Sequence, residues 1–171
     1  VYGQSKYEGE KAAQSLLDKY YIVRIAWVFG INGKNFIRTM LNLGKSHDRL
    51  TVVSDQIGTP TYTYDLARLL ADMAETDKYG VYHATNEGGY ISWYDFTVEI
   101  MKQAGKTDER YRQVEVVPVG SDQYPAKAKR PSNSRMDKSK LIENGFEPLP
   151  DWRDAVARYI DEITEKETGN K

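Results

Sequence analysis

Tyr2 and Lys6 stand one helical turn apart at the start of the chain. A tyrosine and a lysine at i and i+4 on a helix point the same way. A phenol with an ordinary pKa near 10 is a poor proton donor or acceptor at neutral pH. A neighbouring ammonium favours its phenolate, and so does a nicotinium ring. The lysine can also hold a ribose diol. Such a pair can pass a proton to an alcohol oxygen that forms as a hydride arrives, which is general acid catalysis. Taken alone, the Tyr-x-x-x-Lys spacing is equally explained by helix packing. Small residues Gly3, Ser5 and Gly9 surround the pair. About ten residues beyond the helix, a hydrophobic strand would bring backbone to the end of a sheet where open α/β folds bind ligands.

The elements that must position this pair follow from hydrophobic periodicity. Residues 5–19 read as a helix with Tyr2, Lys6, Gly9, Ala13 and Leu16 or Leu17 along one face. Gly9 lowers helix propensity by about 1 kcal/mol, which close approach of a neighbouring element would offset. Residues 21–30 are β-branched and aromatic without alternation, which predicts one buried, parallel strand ending at a glycine turn. A second helix carries Phe36, Met40 and Leu43 in line, with Ile37, Leu41 and Gly44 beside them. A short strand follows, then a polar loop whose path Pro60 fixes. A third helix, 64–75, should face Leu66, Leu69, Leu70 and Met73 inward, and a strand should follow over 80–85. Ser92 and Asp95 form a capping box for a helix bearing Trp93, Phe96, Ile100 and Ala104. Trp93, Tyr94 and Phe96 are read as packing. A short strand over 114–119 leads into a long polar connection with two prolines and six Lys or Arg side chains. The last helix carries Val156, Tyr159, Ile160 and Ile163 on its apolar side. Alternating helices and strands make this an α/β chain.

Composition bounds the function. The 171 residues include 24 basic and 25 acidic side chains, a net charge of −1 that argues against broad nucleic-acid binding. There is no cysteine, so disulfides, thiolate nucleophiles and cysteine zinc sites are excluded. The two histidines, His47 and His83, share no carboxylate motif, and no metal site is expected. No apolar run approaches the roughly 20 residues that span a bilayer. A cytoplasmic protein without membrane contact is the expectation.

Five blocks, YGQSKYEGEK, IVRIAWVFGINGKNFIRTML, DQIGTPTYTYDLA, GVYHATNEGGYISWYDF and YPAKAKRPSNSRMDKSKL, carry a resemblance. Their order and spacing resemble those of the dTDP-4-dehydrorhamnose reductases, extended short-chain dehydrogenases/reductases, from Tyr2 to about Tyr159. The resemblance implies the carboxy-terminal part of a Rossmann-like NAD(P)-binding fold with a smaller α/β substrate-binding lobe. It places residues 1–30 and 61–86 in the dinucleotide domain, 31–60 and 87–165 in the lobe, and 166–171 in a frayed tail. It implies reduction of the 4-keto group of dTDP-4-dehydro-6-deoxy-L-mannose to dTDP-L-rhamnose with NADPH or NADH. Tyr2 becomes the general acid and also a cofactor contact, and Lys6 the ribose ligand that lowers its pKa. Ala26, Trp27, Val28 and Phe29 pass beside the cofactor, with Trp27 a wall for the sugar. Asn35 and Phe36 touch the substrate. Lys129, Arg130 and Asn133 approach its diphosphate and nucleotide, although the loop also reads as solvated basic surface.

One departure stands out. Neither the family's G-x-x-G-x-x-G turn nor the Ser/Thr upstream of its tyrosine is present in these residues. The chain is therefore read as the carboxy-terminal portion of such a reductase, inactive alone, and either dimeric or associated with an amino-terminal half. A sister nucleotide-sugar epimerase or dehydratase shares Tyr-x-x-x-Lys and is the first alternative. A non-catalytic scaffold is the second, because a regulatory subunit of methionine adenosyltransferase also resembles this family. Asp55 and Gln56 are open between two roles, ordering the loop near the pocket or satisfying backbone amides at a turn.

Overall fold

The computed structural model describes residues 2–123 and 130–169, without the side chains of the last three. Helix α1 (Tyr2–Leu16) leads to β1 (Tyr21–Arg24) and β2 (Val28–Phe29), then α2 (Phe36–Gly44) and β3 (Arg49–Val53). Two short strands, β4 (Ile57–Gly58) and β5 (Thr61–Tyr62), run into α3 (Thr63–Ala74) and β6 (Gly80–His83). Strand β7 (Ile91–Ser92) opens α4 (Trp93–Ala104); a 3-10 turn, β8 (Glu115–Val119), α5 (Ser139–Glu143) and α6 (Trp152–Gly169) complete the order. Strands pair in parallel as β1 with β6, β2 with β5 and β3 with β8, while β4 pairs antiparallel with β7. The α/β class is as expected from the alternation of elements.

The single strand expected over 21–29 is broken. Residues 25–27 leave the ladder, and Trp27 takes φ 49°, a left-handed value that costs a non-glycine residue about 1–3 kcal/mol. Thr61 holds the break open. Its hydroxyl donates to the Ala26 carbonyl at 2.7 Å and its N–H donates to the Trp27 carbonyl at 3.2 Å. The first half of the segment is also less buried than its composition suggests, since β1 ends on exposed Arg24.

Elsewhere the periodicity is mostly realised. The Ser92–Asp95 box closes in both directions, the Asp95 N–H donating to Ser92 Oγ at 3.1 Å and the Ser92 N–H to Asp95 Oδ2 at 2.9 Å. Helix α3 buries Leu66, Leu69 and Met73 but turns Leu70 outward, 42% exposed, and buries Asp65 instead. Leu70 lies off the i, i+3, i+7 stripe, so the expected inward face was one residue too wide. Helix α1 ends at Leu16, buries none of its side chains, and leaves nothing within 4 Å of where a Gly9 Cβ would be. The close approach expected at that glycine is absent among the described residues.

Two hydrophobic clusters make the core. One gathers Phe29, Ile37, Phe96, Ile100, Trp152 and Tyr159; the other gathers Leu66, Met73, Tyr82, Leu141 and Phe146. Asn86, fully buried, lies where they meet. Its Nδ2 donates to Asp65 Oδ2 at 2.8 Å and to the Pro150 carbonyl at 3.0 Å, and its Oδ1 accepts the Tyr62 N–H at 2.8 Å. Asp65 also accepts both arms of the Arg158 guanidinium, at 2.9 and 2.8 Å. This fork couples α3 to α6, and the buried carboxylate depends on it. Arg158→Ala strands that charge and should lower unfolding free energy by about 3 kcal/mol, the low end for a broken buried pair because Arg158 is itself partly exposed. Urea denaturation checks this, and a loss well under about 1 kcal/mol would mean water already solvates Asp65.

Candidate active site

Tyr2 and Lys6 project from the same side of α1, with Lys6 Nζ 5.6 Å from the centre of the Tyr2 ring. Tyr2 is 78% exposed. The helix is fastened to β1 by Glu10, which accepts Arg24 Nε at 2.9 Å. That hydrogen bond draws the Glu10 carboxyl below its ordinary range and raises the Arg24 guanidinium. The helix axis is therefore tied to the strand whose end leads into Trp27.

Beyond β1 a cavity of about 650 Å³ opens. Trp27, Val28, Phe29, Phe36 and Arg130, all marked from the sequence, line it. So do Trp93, Phe96, Met40, Thr39, Thr51 and Gln56, which were not placed there beforehand. Phe96 is core as well as wall, at 1% exposure. A tryptophan at the first turn of an amphipathic helix carries the same periodic signal whether it packs or lines a site, so no sequence signal separated the two for Trp93. The cavity is aromatic and aliphatic over most of its wall, with hydroxyl, amide and one guanidinium group around it. That suits a ligand with an apolar ring face and an anionic end.

Other expected site residues are placed differently. Ala26 meets Thr61 through its carbonyl and does not line the cavity. Asn35 is the N-cap of α2: its Oδ1 accepts the Arg38 N–H at 3.0 Å, and its Nδ2 donates to the Gly30 carbonyl at 3.0 Å and to Tyr159 Oη at 2.7 Å. Its amide is thus engaged within the fold. Asn133 forms a parallel bridge with Ile57, and its Oδ1 accepts the Arg135 N–H at 3.1 Å. Tyr2 and Lys6 stand outside the cavity lining. Lys129 lies outside the described residues. Among the described residues no group of three or more His, Asp or Glu side chains could hold a metal ion, and no helix is long and apolar enough to cross a membrane.

Arg130 owes its place to three consecutive residues. Asp55 accepts the Ser121 hydroxyl at 2.5 Å and the Ser121 N–H at 2.9 Å, and Gln56 Nε2 donates to Ser121 Oγ at 3.0 Å. Ile57 then donates its N–H to the Ser132 carbonyl at 2.9 Å and accepts the Ser134 N–H at 2.7 Å. The two ends of the polar connection are fastened to one short stretch at the cavity edge. Asp55 fills both open roles, since it accepts a backbone amide at the Ser121 turn and in doing so fastens the loop, while Gln56 bonds only the Ser121 hydroxyl.

The chain is similar to proteins of one family. The family described as RmlD substrate binding domain matches residues 1–165. A dTDP-4-dehydrorhamnose reductase of Aggregatibacter actinomycetemcomitans is 43% identical over 163 residues, covering 91% of this chain and 55% of its own length. A crystal structure of a dTDP-4-dehydrorhamnose reductase from Clostridium acetobutylicum superposes with a TM-score of 0.87 at 42% identity, over 95% of this chain and 55% of that one. The Bacillus anthracis reductase, solved in complex with NADP, superposes with a TM-score of 0.85 at 38% identity, over 94% and 54%. The chain spans about half the length of these relatives. The shared architecture is Rossmann-like with a smaller lobe.

The hydrogen bonds from Ser121 hold the Asp55 carboxyl below the ordinary aspartate range. A carboxyl lowered in the folded state contributes stability that is complete above its unfolded value, about pH 4, and is lost as pH falls through the lowered value. The stability gap between the protein and its Asp55→Asn variant should therefore be constant at neutral pH and close in acid. Denaturation series at stepped pH check it; a gap that persists into strong acid contradicts the role given to the Asp55 charge.

Proposed function

Because this chain belongs to the RmlD substrate binding domain family, we propose that the protein containing it reduces the 4-keto group of dTDP-4-dehydro-6-deoxy-L-mannose to dTDP-L-rhamnose. The observation that carries the reading is the cavity itself, with the Trp27 wall and the Arg130 cation lining one site. The thymidine diphosphate end is assigned to the Arg130 side, where a planar guanidinium can meet phosphate oxygens in two parallel hydrogen bonds. The sugar is assigned to the aromatic wall. In this reading residues 1–30 and 61–86 belong with the dinucleotide domain, and 31–60 and 87–165 with the lobe.

The donor set on α1 fits a nicotinamide ribose: an exposed phenol and an ammonium lie on one helix side. NADPH or NADH, when bound, supplies the hydride. Tyr2 gives its proton to the oxygen at sugar C4, and Lys6 holds the ribose and keeps a positive charge beside the phenol. The glycine-rich pyrophosphate turn is absent from these residues, and the relatives are about twice as long, so the rest of such a chain is assigned that task. The motif start at Tyr2, and either a homodimer or association with an amino-terminal half, belong to the same proposal.

Incubation of the complete protein with the keto-sugar and NADPH, followed by the nicotinamide absorbance, tests the reaction; no decline refutes it. Tyr2→Phe should lower kcat by about 10²–10⁴ with the cofactor Kd unchanged, as loss of a positioned proton donor requires. Retained kcat would remove Tyr2 from the chemistry. Arg130→Ala should weaken binding of the dTDP-sugar by about 1.5–3 kcal/mol in calorimetry, the range for a charge-assisted hydrogen bond. An unchanged Kd would return Arg130 to solvated surface.

A further inference from the structure

Trp27 enters the cavity from backbone that belongs to neither flanking strand. With φ at 49°, it is the only non-glycine residue in the left-handed region among those described. The orientation of its indole depends on what touches the ring: Trp93 and Gly58 make the closest contacts, and the Phe96 ring lies 6.3 Å away at 30°. The Trp93 ring lies against it with centroids 3.7 Å apart and planes 16° from parallel, so each indole covers one face of the other. The opposite constraint comes from Gly58. A Cβ there would fall 2.9 Å from Trp27 Cε2 and 3.0 Å from Cζ2, so the indole edge occupies space that only glycine leaves free.

Trp93 is itself held. It is the first residue of α4, directly after the reciprocal Ser92–Asp95 cap, and the Phe36 ring lies 4.5 Å from it at 46°. The cap fixes where the helix begins, and the aromatic neighbour fixes how far the ring can turn. The stack thus transmits the position of α4 to a second residue of the cavity wall. The rings overlap face to face with little offset, so the contact buries most of one face of each indole and is lost when the rings slide apart.

Resting on the reading of the cavity as a keto-sugar site, we propose that Trp93 is a positioning residue. By stacking on Trp27 it leaves that indole one orientation and one open face, against which a pyranose ring lies through its apolar C–H side. Gly58 is the second half of the clamp. The reaction then depends on Trp93 although the proton and hydride never pass through it.

The test uses the complete protein and two readouts. Stacked indoles couple their electronic transitions, so the wild type should show a split circular-dichroism band. That band should vanish in both Trp93→Phe and Trp27→Phe and weaken in Gly58→Ala. In kinetics, Trp93→Ala should lose up to about tenfold in kcat/KM for the keto-sugar, with the cofactor Kd unchanged, and Trp93→Phe should restore most of it. A merely structural role predicts lower thermal stability with kcat/KM per folded molecule intact. Absence of the split band in the wild type overturns the clamp whatever the activity. Full turnover by Trp93→Ala overturns the positioning role. A wild type that shows the band yet never reduces the keto-sugar overturns the reductase reading, and the inference that rests on it falls too.

Discussion

The Asn86 side chain uses both of its donors and its acceptor inside the protein, on Asp65, Pro150 and the Tyr62 N–H. Its own N–H donates to the Pro60 carbonyl at 3.0 Å, and its carbonyl accepts Lys138 Nζ at 2.9 Å. A buried amide satisfied in this way is specific, because any displacement leaves polar atoms unpaired where water cannot reach them. Pro60 and Tyr62 are held on either side of Thr61. Thr61 in turn holds the Ala26 and Trp27 carbonyls, and so the break between β1 and β2. The wall of the cavity is thus set by an asparagine that never enters it.

The candidate site has two parts with opposite mechanics. The cavity is framed by buried contacts: Phe29 stacks on Tyr62 at 5.1 Å and meets Tyr159 edge-on at 5.4 Å, behind the Trp27 and Trp93 wall. Tyr62 donates its hydroxyl to Glu162 at 2.7 Å, and burial, followed by that hydrogen bond, pushes its phenol far above the ordinary range. It is a structural tyrosine. Tyr2 differs in each respect, being exposed on a helix fastened through Glu10 and Arg24. An exposed phenol on one element and a buried aromatic wall on another would suit the proposed reaction, in which cofactor and sugar are assigned to different elements.

Local patterns carried much of this into the sequence. The Ser92–Asp95 cap, the buried stripe of α2 and the α/β alternation follow from spacing alone. The break at residues 25–27 does not, because it is imposed by Thr61, which is remote in sequence, against a strong β propensity. Leu70 was misplaced because its neighbours Leu66 and Leu69 are also apolar and the buried face is narrower than the leucines suggest. Asn35 resembled a ligand residue, yet an asparagine before an amphipathic helix is equally an N-cap, and the Tyr159 hydroxyl that occupies its amide comes from α6. Trp93 shows the converse. Its contact with Trp27 depends on the conformation of Trp27, and backbone conformation at a single tryptophan has no signature in composition or period.

In the proposed reaction hydride reaches C4 of a sugar held in this cavity, with Tyr2 delivering the proton. The most direct measurement supplies the complete protein with the keto-sugar and with NADPH deuterated at its transferable position, then locates the label in the product. The account predicts dTDP-L-rhamnose carrying deuterium at C4. Cofactor oxidation with the label at another carbon, or with none in the sugar, would contradict it.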